Sequence, residues 1–373
     1  MLSHECFRYS NSVTRISCSF ICASGALVIY KQFIEQLATR IDNDHFFVFV
    51  DPSMPQPNIP QVQYVVVNTR GLRRVFFDFF GFRCLTKQLG ISPDWILSFQ
   101  NTCVRGTNAK QIVYFHNALS LIEVCWNPFK RNERTLFFYT SLYPHYLRLL
   151  LKRDVLVVVQ ANFIKRMFVR RFRIPEQQIH VIRPTILKEN GDEKQYTQLF
   201  DSKYYHFIYP ATDFCYKNHA ILLQALIELQ REKPEMVSQI KLHFTLREGI
   251  NKVLQRQIED NGLSSNIEFL GLVSHTHLQS MYQHAHALVF PSWLETLGLP
   301  LVEAASYGLP IIASDEAYAH EALDGYEGVE YVAKDDVAGW KNAIERRCNM
   351  RIRYPLFKPE ENNSWDILFN ILQ

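Results

Sequence analysis

The stretch that decides the fold is 289–315, which reads VFPSWLETLGLPLVEAASYGLPIIASD. An apolar strand ending at Phe290 is followed by a loop, and a helix is predicted from about Pro300 to Gly308 because proline suits a first helical turn and glycine suits a helix end. A second apolar strand begins at Ile311. This order predicts two parallel strands, with the helix N-terminus at the carboxyl end of the first strand. Open α/β sheets bind ligands at that edge, and a helix N-terminus favours phosphate.

Two carboxylates, Glu295 and Glu303, flank this phosphate-favouring turn. Carboxylates repel phosphate, but they accept hydrogen bonds strongly from hydroxyl groups. A phosphate with hydroxyl-bearing groups on both sides describes a nucleotide diphospho-sugar. The alternative is that Glu295 is a solvated loop residue and Glu303 a helix-surface charge.

The whole motif resembles the donor-site signature of the retaining glycosyltransferases of family 4. The resemblance rests on Glu-x7-Glu with Gly-Leu-Pro inside it, on Phe-Pro-Ser before it, and on Gly-x-Pro-Ile-Ile-Ala-Ser-Asp after it. That family, glycosyltransferase group 1, has the GT-B fold. The resemblance therefore implies an α/β protein with two Rossmann-like doubly wound domains that face each other across a cleft.

The resemblance also implies roles for residues of the signature. It places Glu295 on the hydroxyls of the transferred sugar, Glu303 on the ribose, and the backbone amides of Gly298 and Leu299 on the diphosphate. Thr296 and Leu297 complete the binding loop. The family usually has phenylalanine at the position of Leu297, a departure that changes packing rather than chemistry.

The loop 210–219 and the turn at Gly271 carry further expected contacts with the sugar donor. The family usually has an arginine and a lysine in this loop, both on the diphosphate; Lys217 with Asn218 matches the lysine, but Thr212 stands where the arginine is expected. One positive charge is therefore missing, unless a residue elsewhere supplies it. Gly271 ends a predicted strand near the expected position of the base.

Two candidates lie in the first half of the chain. His116 follows the predicted strand 112–115, and the resemblance implies that it points into the cleft near the transferred sugar. Gly25 lies in a small-residue turn, 23–26, where the family has a glycine-containing loop; a plain β–α turn is the alternative. The turn is not GxGxxG, which disfavours a dinucleotide-binding site.

Length and composition predict a globular protein of two domains. The chain has 373 residues, of which 47% are hydrophobic and 13% aromatic. We expect an acceptor-binding domain over 1–187, a donor-binding domain over 188–345, and a C-terminal segment over 346–373 that crosses back to the first domain. The interdomain linker is predicted within 185–202.

No metal site or membrane span is expected. The eight cysteines are scattered, which indicates reduced thiols, and no run of 18 apolar residues occurs. Asp42-Asn43-Asp44 resembles an Asp-x-Asp metal motif, but these residue types are ordinary in the turn between a helix and a strand. A secretory signal within 16–30 stays open as an alternative.

The two halves of the chain carry opposite charge. Residues 1–184 contain 23 basic and 11 acidic side chains, a net charge of +12, whereas the rest of the chain has a net charge of −9. Arginines flank aromatic side chains in 73–83, 128–153 and 165–173, a composition that suits contact with an anionic membrane surface. Amphipathic helices with solvated arginines are the alternative. No nucleic-acid motif accompanies the charge.

We therefore expect a metal-independent, hexosyl-type retaining transferase that needs no cofactor and uses a nucleotide diphospho-sugar as donor substrate. The resemblance implies a lipid-linked or oligosaccharide acceptor, O-antigen or capsule assembly, and a peripheral position at the cytoplasmic face of the membrane. His116, Lys217 and Glu295 are the expected catalytic residues. A catalytically silent GT-B subunit is the alternative from another class, and a hydrolase that uses Glu295 and Glu303 is a second enzymatic one.

Overall fold

The structure, a computed structural model, describes residues 15–19, 24–39, 44–184, 199–359 and 364–372. It separates into two compact units. Unit 1 comprises Met1–Thr185 together with Asn362–Gln373, and unit 2 comprises Ile186–Glu361. The predicted division into acceptor and donor domains stays a prediction, and most of the predicted linker (185–198) lies outside the described residues.

Unit 1 contains a parallel sheet of seven strands. The strands are β1 (Arg15–Ser19), β2 (His45–Val50), β3 (Val62–Val66), β4 (Trp95–Ser98), β5 (Lys110–Tyr114), β6 (Leu156–Val159) and β7 (Ile179–Val181). Their order is β3-β2-β1-β4-β5-β6-β7, so the direction of the crossovers reverses between β1 and β4. Parallel strands of this kind read as near-continuous apolar runs because both faces of the sheet are covered.

Six described α-helices precede unit 2, and a π-helical turn joins the two members of two successive pairs. They are α1 (Ser24–Thr39), α2 (Leu72–Phe76), α3 (Phe82–Gln88), α4 (Arg134–Phe137), α5 (Tyr143–Leu150) and α6 (Asn162–Phe172). A π turn over Phe77–Gly81 joins α2 to α3, and another over Phe138–Leu142 joins α4 to α5. The aromatic segments 73–83 and 128–153 of the sequence are therefore mainly helical.

Hydrophobic cores lie on both faces of this sheet. Phe46, Val48 and Val50 of β2 enter one core, whereas Phe49 enters the other together with Phe77. The alternation follows from strand geometry, in which successive side chains point to opposite faces. Unit 1 is therefore a doubly wound sheet.

Unit 2 contains a parallel sheet of six strands. The strands are β8 (Tyr205–Tyr209), β9 (Ile240–Phe244), β10 (Ile267–Phe269), β11 (Ala287–Phe290), β12 (Ile311–Ser314) and β13 (Val329–Val332). Their order is β10-β9-β8-β11-β12-β13. The crossovers reverse between β8 and β11, which are the two central strands.

Seven helices cover the described part of this sheet's connections. They are α7 (His219–Glu232), α8 (Pro234–Val237), α9 (Lys252–Asp260), α10 (His275–His284), α11 (Leu299–Ser306), α12 (Ala317–Ala322) and α13 (Val337–Cys348). Pro300 lies in the first turn of α11, as the sequence predicts. The α/β fold class is thus confirmed. Within the described ranges, no helix has the combined length and apolar character that spanning a bilayer requires.

Sequence reasoning misses two strands, β3 and β13, and both are edges of their sheets. Their side chains are mostly half-buried, and each strand contains a polar residue, Gln63 or Glu330. An edge strand needs no continuous apolar run, because water reaches part of it. The pattern that reveals the central strands is therefore absent from these two.

The C-terminal segment contacts unit 2 first and then contributes to unit 1. The Tyr354 amide donates to the Gly308 carbonyl (3.0 Å), and Gly308 has φ +64°. A Cβ on Gly308 would lie 2.2 Å from the Tyr354 carbonyl oxygen, so this contact requires glycine. The last helix, α14 (Ser364–Leu372), buries Trp365 and Phe369 in the core of unit 1.

We predict that Trp365→Ala destabilises the protein by about 3 to 5 kcal/mol, because it empties the site of a large core side chain. The indole is 1% exposed and stacks on Tyr114 at a centroid distance of 6.3 Å. Ile367→Ala on the same helix is the matched control, since Ile367 is 41% exposed. Urea unfolding of the full chain should give a much smaller loss for the control. Equal losses would show that α14 does not complete this core.

Candidate functional site

The candidate site lies at the switch point of the unit 2 sheet. β8 and β11 are parallel neighbours, with Phe207 opposite Ala287 and Ile208 opposite Leu288. The chain leaves β8 towards β9 and leaves β11 towards β12, so the two following loops diverge. A crevice between diverging loops at the carboxyl edge is where open α/β sheets bind ligands. The loop 210–218 follows β8, and the loop 291–298 follows β11.

An ion pair joins these two loops. Lys217 Nζ donates to Glu295 Oε1, and the side chains are only 13% and 15% exposed. The backbone adds a second connection, because the Tyr216 carbonyl accepts from the Trp293 amide at 2.9 Å. Two predicted site residues, one from each loop, are therefore brought together.

The Glu295 carboxylate lies among three phenols, of which Tyr209 and Tyr318 are buried and Tyr216 is half-buried. Burial raises the pKa of Tyr209, Tyr216 and Tyr318 above the ordinary value for tyrosine, and the charge of Glu295 adds to the rise in each case. The Tyr209 hydroxyl donates a hydrogen bond to the Lys217 carbonyl. The phenols therefore stay protonated near neutral pH, and Tyr209 and Tyr318 act as hydrogen-bond donors to the backbone.

The loop after β11 reaches α11 through a left-handed glycine. Gly298 has φ +74° and caps α11, whose first N–H groups have no acceptor within the helix. A Cβ on Gly298 would lie 3.1 Å from Tyr318 Cδ2. Tyr318 in turn donates to the Ser292 carbonyl at 2.6 Å and is 3% exposed. Tyr318 is thus a buried support for the loop, and Leu297 is likewise buried.

Glu303 lies on α11, with partners from α10. Tyr282 donates its hydroxyl to Glu303 Oε2 at 3.1 Å, and His275 Nε2 lies 3.4 Å from Oε1. The carboxylate remains 15% exposed. Sequence reasoning missed both partners. Their seven-residue spacing places them on one helix face, but nothing in the sequence shows that this face meets α11.

The remaining candidates in unit 2 surround this arrangement. Thr296 and Leu299 lie in the loop and at the first position of α11. Asn218 has φ +57°, precedes α7, and donates its side-chain amide to the Lys334 carbonyl at 2.8 Å. Gly271 follows β10, two strands from β8, and has φ +68°. The side-chain amide of Asn218 is therefore occupied by a contact within the protein.

His116 and Gly25 belong to unit 1. The His116 amide donates to Asn101 Oδ1 at 2.7 Å, and the ring Nε2 lies 3.4 Å from Asn101 Nδ2. Burial lowers the pKa of His116 to about 4. The imidazole is therefore neutral near pH 7. Sequence reasoning missed Asn101, whose φ of +65° is unusual outside glycine.

Some residues of the predicted motifs lie outside the described ranges. Gly25 is the second residue of α1, but 20–23 lie outside the described residues, as do Asp42 and Asn43. Within the described ranges, no group of three His, Cys, Asp or Glu side chains is arranged to bind a metal ion. His320 Nε2 lies 2.6 Å from Asp315 Oδ1, and the His320 ring stacks on Tyr331.

We predict that Gly298→Ala destabilises the protein more than Gly325→Ala does. Both positions have positive φ, which costs a non-glycine residue about 1 to 2 kcal/mol. Only Gly298 adds a close contact, with Tyr318, whereas nothing lies within 4 Å of a Cβ at Gly325. Urea unfolding measures the loss of stability in both variants. Equal losses would show that the contact with Tyr318 does not require glycine at position 298.

Comparison with known sequences finds similarity in the second unit. Residues 192–354 match the family model described as Glycosyl transferases group 1. The O-antigen chain mannosyltransferase RfbU of Salmonella typhimurium is 39% identical over 92 residues, which is 25% of this chain and 26% of RfbU. The curated relatives are thus matched over only about a quarter of their length or less.

Comparison of structures covers nearly the whole chain. WaaG, a glycosyltransferase involved in lipopolysaccharide biosynthesis, has a TM-score of 0.67 and 16% identity, with 90% of each chain covered. HepE of Anabaena, solved in complex with UDP and glucose, has a TM-score of 0.63 and 15% identity, with 89% of each chain covered. At these identities the likeness concerns the fold. The chain therefore has the GT-B fold, and its residues 192–354 are similar to the group 1 glycosyl transferases.

Proposed function

We propose that the protein is a retaining glycosyltransferase of family 4 that moves a sugar, of the hexosyl type, from a nucleotide diphospho-sugar to a glycan acceptor. The observation that carries the proposal is the pairing of Lys217 with Glu295 across the switch point, beside the N-terminus of α11. A cation and a helix N-terminus suit a diphosphate, and a neighbouring carboxylate suits sugar hydroxyls. HepE, which shares the fold, was solved with UDP and glucose.

The roles of the side chains follow from their chemistry. On donor binding, Lys217 turns from Glu295 to the diphosphate, and Glu295 accepts hydrogen bonds from the sugar. Glu303 accepts from the ribose hydroxyls, with Tyr282 fixing one of its oxygens. Thr296, Leu297 and the amides of 298–299 line the loop. Asn218, Gly271 and Gly25 are assigned to the donor's surroundings on the strength of the family resemblance.

The transfer step separates charge. The bond from the anomeric carbon to the phosphate oxygen breaks, the electron pair stays on the diphosphate, and positive charge develops on the sugar ring. The acceptor oxygen attacks the same face of the anomeric carbon, and its proton passes to the leaving phosphate. Lys217 and the first turn of α11 stabilise the leaving group, and removing one such interaction typically raises a barrier by about 3 kcal/mol.

Neither a metal nor a cofactor enters this scheme, in which the lysine and the helix N-terminus bind the diphosphate. His116, neutral near pH 7, offers a hydrogen bond to the transferred sugar rather than a charge. The names of RfbU and WaaG favour a lipid-linked or oligosaccharide acceptor in the assembly of a bacterial surface polysaccharide such as O-antigen. The protein would then act at the cytoplasmic face of the membrane.

A strip of aromatic rings on unit 1 supports contact with that membrane. Phe76, Phe80 and Phe79 form successive ring contacts at 6.1 and 6.2 Å, and Phe79 lies 6.3 Å from Tyr146 of the second helical segment. Tyr143 extends the strip from Tyr146 at 5.8 Å.

The most exposed members of this aromatic strip are apolar. Phe76 and Phe80 are each 62% exposed, and Arg73 and Arg83 of the same helical segment are exposed as well. Exposed aromatic rings with flanking arginines suit the interface of an anionic bilayer.

We predict that UDP, GDP, dTDP or ADP, or one of their common sugars, raises the melting temperature of the purified protein without added metal. A ligand that binds only the folded state stabilises it. Glu303→Ala should abolish the shift, whereas Glu268→Ala, an exposed carboxylate on β10, should retain it. Hydrolysis of the selected donor should fall strongly in Lys217→Ala.

The outcomes separate the candidate functions. A selective shift without any hydrolysis or transfer, even with a lipid-linked acceptor supplied, would favour a catalytically silent subunit over an enzyme. That alternative is supported by the absence of the expected arginine at Thr212. No shift with any nucleotide would contradict the donor site itself.

We also predict that the protein floats with vesicles containing phosphatidylglycerol and that Phe76→Ser/Phe80→Ser reduces flotation at least several-fold. The change removes two apolar side chains from the proposed interface. Val253→Ser/Leu272→Ser is the matched control, because both residues are exposed apolar side chains of unit 2. Equal flotation of the two double variants would contradict the assignment of the aromatic strip.

A further inference from the structure

The proposed sugar-donor site has one positive charge fewer than its diphosphate calls for. Thr212 stands where the family resemblance implies arginine, which leaves Lys217 as the cation of the loop after β8. The inference below rests on the proposed function, since it concerns the group that neutralises the same diphosphate. The loop after the strand next to β8 can supply a replacement, because the loops that follow adjacent parallel strands lie at the same edge of the sheet.

Strand register points to Arg247. Tyr209, the last residue of β8, is opposite Phe244, the last residue of β9. Thr212 and Arg247 each lie three residues beyond this pair, in the loops that leave the two strands. The arginine that one loop lacks is therefore present at the equivalent step of the neighbouring loop.

Hydrogen bonds connect the two loops on both sides of these positions. The Ala211 amide donates to Thr245 Oγ1 at 3.0 Å, one residue before Thr212 and two before Arg247. Asn251 Nδ2 donates to Asp213 Oδ1 at 2.7 Å, on the far side of both. The Arg247 turn is thus fixed against the loop that carries Thr212.

The Arg247 side chain is available. It is exposed, and among the described residues no carboxylate or carbonyl pairs with its guanidinium. Its Cγ would lie 3.8 Å from a Cβ at Gly271, so the stem passes beside another predicted donor-binding residue. The adjacent Glu248 is an exposed carboxylate, but no ion pair joins the two.

We propose that Arg247 replaces the arginine missing at Thr212 and supplies, with Lys217, the second cation for the diphosphate of the sugar donor. A guanidinium forms paired hydrogen bonds with phosphate oxygens. Because the side chain of Arg247 is long, it can supply this contact from the loop after the neighbouring strand. The protein then retains a two-cation diphosphate site although the usual position lacks its arginine.

The test is calorimetric titration of the full chain with UDP, GDP, dTDP and ADP, and with the matching monophosphates and nucleosides. Arg247→Ala should weaken binding of the preferred diphosphate about 10- to 100-fold, the range for a hydrogen bond to a charged group, and leave the nucleoside unaffected. Arg256→Ala is the matched control, since Arg256 is an exposed arginine of α9 and its loss changes the net charge equally. The control should bind as the wild type does.

A rescue variant sharpens the test. Thr212→Arg in the Arg247→Ala background should restore most of the lost diphosphate affinity, because it returns the charge from the usual position. Unchanged binding in Arg247→Ala, or an equal loss of affinity for nucleoside and diphosphate, would overturn the inference about Arg247. If Lys217→Ala still weakened diphosphate binding, the donor site itself would be upheld. A wild-type protein that binds none of the nucleotides would overturn the proposed function itself.

Discussion

The ion pair between Lys217 and Glu295 is the interaction on which the candidate site depends. It joins the loops that leave the two central strands of unit 2, at the point where the crossovers reverse. A largely buried ion pair is a weak source of stability, because desolvation offsets much of the attraction. Its value lies in position: it keeps a cation and a carboxylate together at the edge where a ligand enters.

Two buried tyrosines hold the backbone of the loops that carry this ion pair. Tyr209 fixes the backbone of Lys217, and Tyr318 fixes the backbone of the loop that carries Glu295 while packing against Gly298. Burial raises the pKa of both phenols, so they remain protonated hydrogen-bond donors near neutral pH. The geometry of the site is therefore set by a rigid aromatic layer rather than by the loops alone.

The sequence predicted most of the central strands and the main features of the 289–315 motif. It did so because a buried parallel strand is an uninterrupted apolar run, and because proline and glycine mark the ends of α11. It missed the edge strands β3 and β13, whose side chains are mixed. It also missed Tyr282, since a partner across two helices leaves no local pattern, and it gave no reason to select Arg247.

Local chemistry thus determined which residue types could bind a phosphate and a sugar, because motif spacing and strand boundaries are properties of the chain itself. The tertiary structure alone decided which of them meet. Lys217 and Glu295 are 78 residues apart, and only the order of strands in the sheet makes their loops neighbours. The same holds for Thr212 and Arg247, which become equivalent only through the register of β8 with β9. Strand order and register arise from packing across the whole sheet, which no short stretch of sequence encodes.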